Sequence, residues 1–253
     1  MPPVFKIFSA GPLLPGSRWR EILAAVPAVL RVERTLVIEE ILPATVATAE
    51  TFTDAPTAKL FPQEAAIVER ASDKRRRQFS AGRECARMAL SQLGIPPAPI
   101  LIGERGAPQW PPGIVGSITH CDGYRAAAAA RVSDVATIGM DAEPNHPLPR
   151  GVLDVISLPA ERAGLAALAE EAPAVCWDRL LFSAKESVYK AWFPLTGRWL
   201  GFGDADVTMA LDGTFTAYLL AEPQPPCTAS FAGRWLASGG LILTAIAVPR
   251  SVS

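Results

Sequence analysis

Residues 178–192 read DRLLFSAKESVYKAW, and the face on which their one glutamate lies decides the kind of fold. At 100° per residue, Trp177, Leu181, Ala184, Val188 and Ala191 fall on one apolar stripe of a helix expected over 174–192. Glu186 stands roughly 170° from the centre of that stripe. It therefore faces either bulk water or a cleft against another element. Lys190 follows one turn on, and Lys185 lies beside it. An exposed i,i+4 Glu–Lys pair satisfies the same spacing without any function. A cleft, by contrast, demands a second body opposite the helix.

Candidates for that body lie upstream. In TIGMDAEP (137–144), an extended chain puts Asp141 and Glu143 on one face, with Cα atoms roughly 6–7 Å apart. Adjacent carboxylates repel unless a cation or protons lie between them. Magnesium suits such oxygen ligands and keeps several waters. A solvated strand end with two acids is the alternative. Further upstream, a helix is expected from Ser72 to Leu93, with Ser72 or Asp73 as its cap. Phe79, Cys85, Ala86, Ala89, Leu90 and Leu93 form its stripe, and Gly94 and Pro96 stop it. Within it, KRRRQFSAGRECAR (74–87) sets Arg76, Arg83 and Arg87 near one line, with Arg75 at the helix start. Arginine forks and a helix N-terminus suit phosphate oxygens, although a solvated basic face reads the same way.

VGSITHC (115–121) contains His120, one of two histidines; His146, in PNHPLP, reads as a loop residue. Gly116 and Ser117 could present backbone donors at a turn. No GxSxG, HExxH or CxxC pattern occurs, which argues against serine-hydrolase and zinc chemistry.

The remaining pattern is mixed. Strands are expected at Ala98–Ile102, Ile114–Ile118, Tyr124–Val132 and Val135–Met140, although the alanine run leaves the third ambiguous. A helix at Pro159–Glu171 precedes the 174–192 helix. Strands at Ala205–Leu211, Thr214–Leu220 and Gly240–Ala247 follow, the first two joined by an Asp212-Gly213 turn. Helix and strands recur in similar order in each half, which suggests two related α+β lobes. Residues 1–35 are Pro- and Gly-rich, with one amphipathic piece at Arg18–Val32, and read as a separate extension. The lobes then take 36–134 and 135–253.

Bulk composition excludes some functions. The 253 residues are 49% hydrophobic and 19% charged, with a formal net charge of -1. That gives no electrostatic case for nucleic acid. Four scattered cysteines (Cys85, Cys121, Cys176, Cys227) fit reduced thiols and a cytoplasmic protein. No stretch reads as a leader or a membrane span.

Taken in order, GSITHC (116–121), IGMDAEP (138–144) and FSAKESVYKAW (182–192) resemble the bacterial 4′-phosphopantetheinyl transferases of the Sfp and enterobactin-synthase type. RRRQFSAGRECARMALSQLG (75–94), GAPQWPPG (106–113) and LTGRWLGF (195–202) resemble the actinobacterial branch. The resemblance runs from about Ile38 to the C-terminus.

This resemblance implies two pseudo-symmetric α+β lobes with the active site in the cleft between them. It also implies transfer of the 4′-phosphopantetheine arm of coenzyme A to a serine of apo acyl or peptidyl carrier proteins. Adenosine 3′,5′-bisphosphate would be released. The carriers would serve fatty-acid, polyketide or nonribosomal peptide synthesis. Asp141, Glu143 and Glu186 would ligate magnesium, with manganese as an alternative ion. Glu186, Lys190 and Asp141 would form the catalytic set, Glu186 helping to deprotonate the serine and Lys190 steadying the phosphate. Arg75, Arg83 and His120 would hold CoA phosphates, Ser117 and Thr119 would lie along the nucleotide, and Lys185 and Lys190 would join the CoA-binding set. Two positions depart from the family pattern. Met140 stands where the family has Ile, and Ile102 stands where close relatives have Lys, with Arg105 as the substitute contact. A monomer is expected, since one chain supplies both sides of the cleft. A carrier-independent phosphohydrolase and a non-catalytic CoA-binding module are the rival readings.

Overall fold

The alanine run forms a strand because it is buried on both faces. In the computed structural model, which describes residues 38–53, 59–220 and 229–250, β1 (Ala47–Thr51), β2 (Ile114–Cys121) and β3 (Tyr124–Arg131) form an antiparallel sheet in the order β1-β3-β2. Ala127 and Ala129 of the central strand face a long helix, α2 (Asp73–Gln92), which follows the short α1 (Pro62–Ile67). Ala126, Ala128 and Ala130 face the other way, into a core shared with the C-terminal half. Layers on both sides leave room for methyl groups and little else.

The second half is a five-stranded antiparallel sheet of order β4-β8-β7-β6-β5, built from β4 (Val135–Pro144), β5 (Ala205–Met209), β6 (Thr214–Leu219), β7 (Ser230–Ser238) and β8 (Leu241–Pro249). The short α3 (Val152–Ile156), then α4 (Pro159–Glu171) and α5 (Trp177–Thr196), complete it. The expected stripe of α5 (Trp177, Leu181, Ala184, Val188, Ala191) is buried in the core of this half. Gly139 of β4 lets the helix approach. A Cβ there would overlap the Ser187 carbonyl oxygen and stand 2.6 Å from the Ala191 nitrogen.

The two sheets meet through side chains. Ser117 Oγ accepts the Met140 N–H at 3.2 Å, and Thr119 Oγ1 accepts the Ala142 N–H at 3.0 Å. β2 thus satisfies the outer edge of β4 with hydroxyls instead of a backbone ladder. Ile138, Met140 and Ala142 pack with Ile38, Ile41, Tyr124 and the inner alanines to close this seam.

Each half also contains the same buried device. Phe61-Pro62-Gln63-Glu64 starts α1, and Leu158-Pro159-Ala160-Glu161 starts α4. Glu64 accepts the N–H of Phe61 and Ile100, both at 2.9 Å, and pairs with Arg87 at 3.0 Å. Glu161 accepts the N–H of Leu158 at 2.6 Å and Val207 at 2.8 Å, and pairs with Lys185 at 2.8 Å. In both, a buried carboxylate links a short helix, an extended segment and the long helix of that half.

Several expectations need correction. Ala98–Ile102 is not a strand; Ile102 makes one isolated bridge to Pro108 in a chain otherwise irregular. The last helix starts at Trp177, not Ala174, and continues through Pro194 to Thr196. β2 and β4 run beyond their expected ends, to Cys121 and Pro144, which puts His120 and both acids within strands. β1 and β7 were not anticipated. β7 is interrupted in sequence by Gly233, which reads as a break, but the Phe215 ring occupies the space of its missing Cβ. The 1–35 extension and Cys227 lie outside the described residues.

Candidate active site

β4 and α5 bring together the residues that strand alternation and helical period single out. Asp141 is buried; Glu143 and Glu186 are half-buried. Lys190 Nζ holds Asp141 Oδ1 at 2.6 Å, and Thr119 donates to the same oxygen at 3.3 Å. Asp141 Oδ2 is buried with no partner. Arg179 Nη1 holds Glu143 Oε2 at 2.9 Å. Burial, together with the charge of Asp141, raises Glu143 above the ordinary carboxylate range against the pull of Arg179. Glu186 is likewise raised by burial, opposed by Lys190 and reinforced by Asp141.

This chemistry fits a hard divalent cation. It has an orphaned buried carboxylate oxygen on Asp141, whose charge acts on both Glu143 and Glu186, and those two are disfavoured as bare anions. As the side chains lie, no three His, Cys, Asp or Glu among the described residues converge closely enough to enclose an ion. Each strand carboxylate is instead held by a cation from α5.

The basic set adjoins the acids at His120. Arg75 Nη1 lies 3.1 Å from His120 Nε2. Burial of the ring body, then the charges of Arg75, Lys190 and Arg125, push the imidazole pKa down to about 4, with Asp141 opposing; its outer edge still meets solvent. The ring is therefore neutral at pH 7, and Nε2 accepts from Arg75. Arg83 is buried, lies 4.3 Å above the Phe79 ring and donates through Nε to the Ile100 carbonyl at 2.6 Å. Burial lowers its pKa to about 10, so it stays charged.

Other expected residues are placed differently. Ser117 and Thr119 are buried in the seam with their hydroxyls engaged by β4. Lys185 points into the C-terminal half, where Glu161 and the carbonyls of Phe202 (2.7 Å) and Ala205 (3.0 Å) take its three protons. Arg105, at φ 51° in the 3-10 turn Glu104–Gly106, crosses to the C-terminal half with its guanidinium carbon 5.5 Å from the Trp199 ring. Trp199, Tyr189, Glu186, Leu200 and Phe202 line a depression of about 200 Å³.

Three site residues were missed. Arg179 precedes Glu186 by two helical turns and shares its face with Lys190, so the period that found Glu186 also marks it. Arg125, the second residue of β3, stands directly opposite His120. Trp199, 62% exposed, had no signal beyond its presence in LTGRWLGF.

No described helix is long and apolar enough to cross a membrane. The sequence profile of the 4′-phosphopantetheinyl transferase N-terminal domain matches residues 63–130, and that of the 4′-phosphopantetheinyl transferase superfamily matches residues 137–244. The chain is 56% identical to 4′-phosphopantetheinyl transferase Svp of Streptomyces mobaraensis over 219 residues, covering 83% of this chain and 89% of that one. It is 50% identical over 222 residues to 4′-phosphopantetheinyl transferase PptT of Mycobacterium tuberculosis, covering 83% and 96%. It is equally identical over 222 residues to 4′-phosphopantetheinyl transferase Npt of Nocardia iowensis, covering 83% and 99%. With both halves of the chain accounted for by matching profiles and by relatives aligned along nearly their whole length, this chain belongs to the 4′-phosphopantetheinyl transferase superfamily.

Proposed function

We propose that the protein transfers the 4′-phosphopantetheine group of coenzyme A to a serine hydroxyl of an apo acyl or peptidyl carrier protein, with magnesium at Asp141, Glu143 and Glu186. The observation that carries this reading is the junction at His120. There a neutral imidazole held by Arg75 lies within the fields of both Lys190 and Asp141. A basic set suited to phosphates thus abuts an acid set suited to a cation, as a bound diphosphate requires.

In the reaction, the serine Oγ forms a bond to the phosphorus next to pantetheine. The bond from that phosphorus to the bridging oxygen breaks, and adenosine 3′,5′-bisphosphate leaves. Magnesium, when bound, supplies charge neutralisation to the diphosphate and its leaving oxygen. Glu186 takes the serine proton, directly or through water. Lys190, two-point anchored in function by Asp141 on one side and the transferred phosphoryl on the other, steadies the developing charge. Arg75, Arg83 and His120 hold the CoA phosphates. The free thiols Cys85, Cys121 and Cys176 support a cytoplasmic setting, and a cleft completed within one chain supports a monomer.

The test is a mass measurement. Purified protein, CoA, magnesium and an apo carrier should give a carrier heavier by one phosphopantetheine, and EDTA should stop the gain. A carrier of unchanged mass across fatty-acid, polyketide and peptide types would refute the reading. Asp141→Ala and Glu186→Ala should each lower the rate by more than about 100-fold, since loss of an outer partner of a metal ligand alone costs about 10–100-fold.

A further inference from the structure

Asp141 and Glu143 are each gripped at one oxygen by a cation from α5. Lys190 takes Asp141 Oδ1, and Arg179 takes Glu143 Oε2, which leaves Glu143 Oε1 outside the pair. Arg179 is itself fixed. Its Nε donates to the His146 carbonyl at 3.0 Å and its Nη2 to the Pro147 carbonyl at 3.1 Å.

The segment carrying those carbonyls is tied down as well. Asn145 Nδ2 donates to the Ala174 carbonyl at 2.9 Å, and its Oδ1 accepts the Cys176 N–H at 2.9 Å. The Leu148 N–H donates to Asp178 Oδ2 at 2.8 Å. Arg179 therefore stands on two carbonyls of a loop that is pinned to the first turn of α5, and from there it reaches one oxygen of one carboxylate.

From this geometry we infer that Arg179 is a positioning residue: it sets the Glu143 side chain in advance, so that the carboxylate meets the cation through its other oxygen. The inference rests on the metal site proposed above. A glutamate left free must give up rotamer freedom when it binds an ion, whereas one held by an anchored guanidinium has already done so. The opposite role is also physically open, because a cation beside a carboxylate competes with a metal for it. The two roles predict opposite signs, so affinity distinguishes them.

The experiment titrates Mn²⁺ into the full chain with CoA present and follows free Mn²⁺ by electron paramagnetic resonance, alongside urea denaturation of each variant. Wild type should bind Mn²⁺, and Asp141→Ala should abolish binding. Arg179→Met should weaken binding by about tenfold, and Glu143→Ala should weaken it at least as much. The double variant should bind no more weakly than Glu143→Ala alone, because Arg179 acts through Glu143. A merely structural role would instead lower the urea midpoint and leave Mn²⁺ affinity unchanged. Unchanged or tighter binding in Arg179→Met, or additive losses in the double variant, would overturn the inference. If Arg179→Met does not fold, Arg179→Lys replaces it. That variant keeps a cation for Glu143 but gives up the two carbonyls, and wild-type affinity there would overturn the inference equally. Absence of Mn²⁺ binding by wild type would remove the metal reading, and this inference with it.

Discussion

His120 shows how much of a side chain's chemistry is set by what other segments bring to it. In sequence it is a lone histidine on a strand. In the fold its pKa drops from 6.5 to about 4 through burial and three neighbouring cations. Between those values the unfolded chain holds a proton that the folded chain refuses, so stability rises with pH across the window and falls as pH drops from 7 towards 4. The raised carboxyls of Glu143 and Glu186 slope the other way, so the comparison must be with a variant. His120→Asn should lose less stability than wild type between pH 7 and pH 5, measured as urea midpoints; parallel losses would show that the ring titrates normally. Period places Asp141 and Glu143 on one strand face and Glu186 opposite an apolar stripe, but each spacing alone also fits a solvated surface, and only the family resemblance groups the three acids. Lys185 was not legible. Its neighbour Glu186 is half-buried opposite the apolar stripe, but nothing local reveals that the Lys185 stem turns under the helix to reach Glu161.

At the scale of elements, the contact between β4 and α5 decides whether a site exists. The helix backbone lies where a side chain at Gly139 would stand, and that closeness lets Lys190 reach Asp141. Gly139→Ala should cost about 3 kcal/mol or more, the upper range for overpacking, because the obstructing atoms are backbone and cannot swing aside. A urea midpoint near wild type would contradict this packing. Lys185 ties α5 to α4 and to the start of β5. Lys185→Met leaves a buried carboxylate without its cation and should destabilise by about 3–5 kcal/mol, read by the same denaturation. Elements with a strong period were legible, as Pro159–Glu171 was to the residue. β1 and β7 were hidden because their membership depends on partners: ATAET is weakly apolar, and Gly233 makes sense only beneath the Phe215 ring.

Across the whole molecule, the two halves meet at an apolar seam with two hydroxyls in it, and Arg105 and Arg250 add contacts outside that seam. Ser117→Ala and Thr119→Val would each leave a buried N–H of β4 without an acceptor, at about 1–3 kcal/mol apiece. The double variant should unfold at lower urea than either single one and lose transfer activity below its unfolding midpoint, as the acids on β4 lose their alignment with the basic set on α2. Activity retained per folded molecule would show that the seam does not set the site. The mixed α+β character was visible as a recurrence of element types, and the shared apolar-Pro-x-Glu starts give the two halves a common feature. The seam was not visible, since a serine and a threonine on a strand announce nothing about a sheet edge contributed from elsewhere.

The alanine strand has one further consequence, for folding fidelity. Ala126 to Ala130 are interchangeable, so sliding β3 by two residues against β1 and β2 would put methyl groups where methyl groups already stand. The run itself therefore contains almost no information about register. That information sits at its two ends: the Tyr124 hydroxyl donates to Glu50 at 2.6 Å, and Arg131 donates to the Leu93 carbonyl at 2.7 Å. Two residues thus act as the address labels of an otherwise anonymous strand, and a chain that misreads them would build a well-packed sheet with His120 opposite the wrong neighbour.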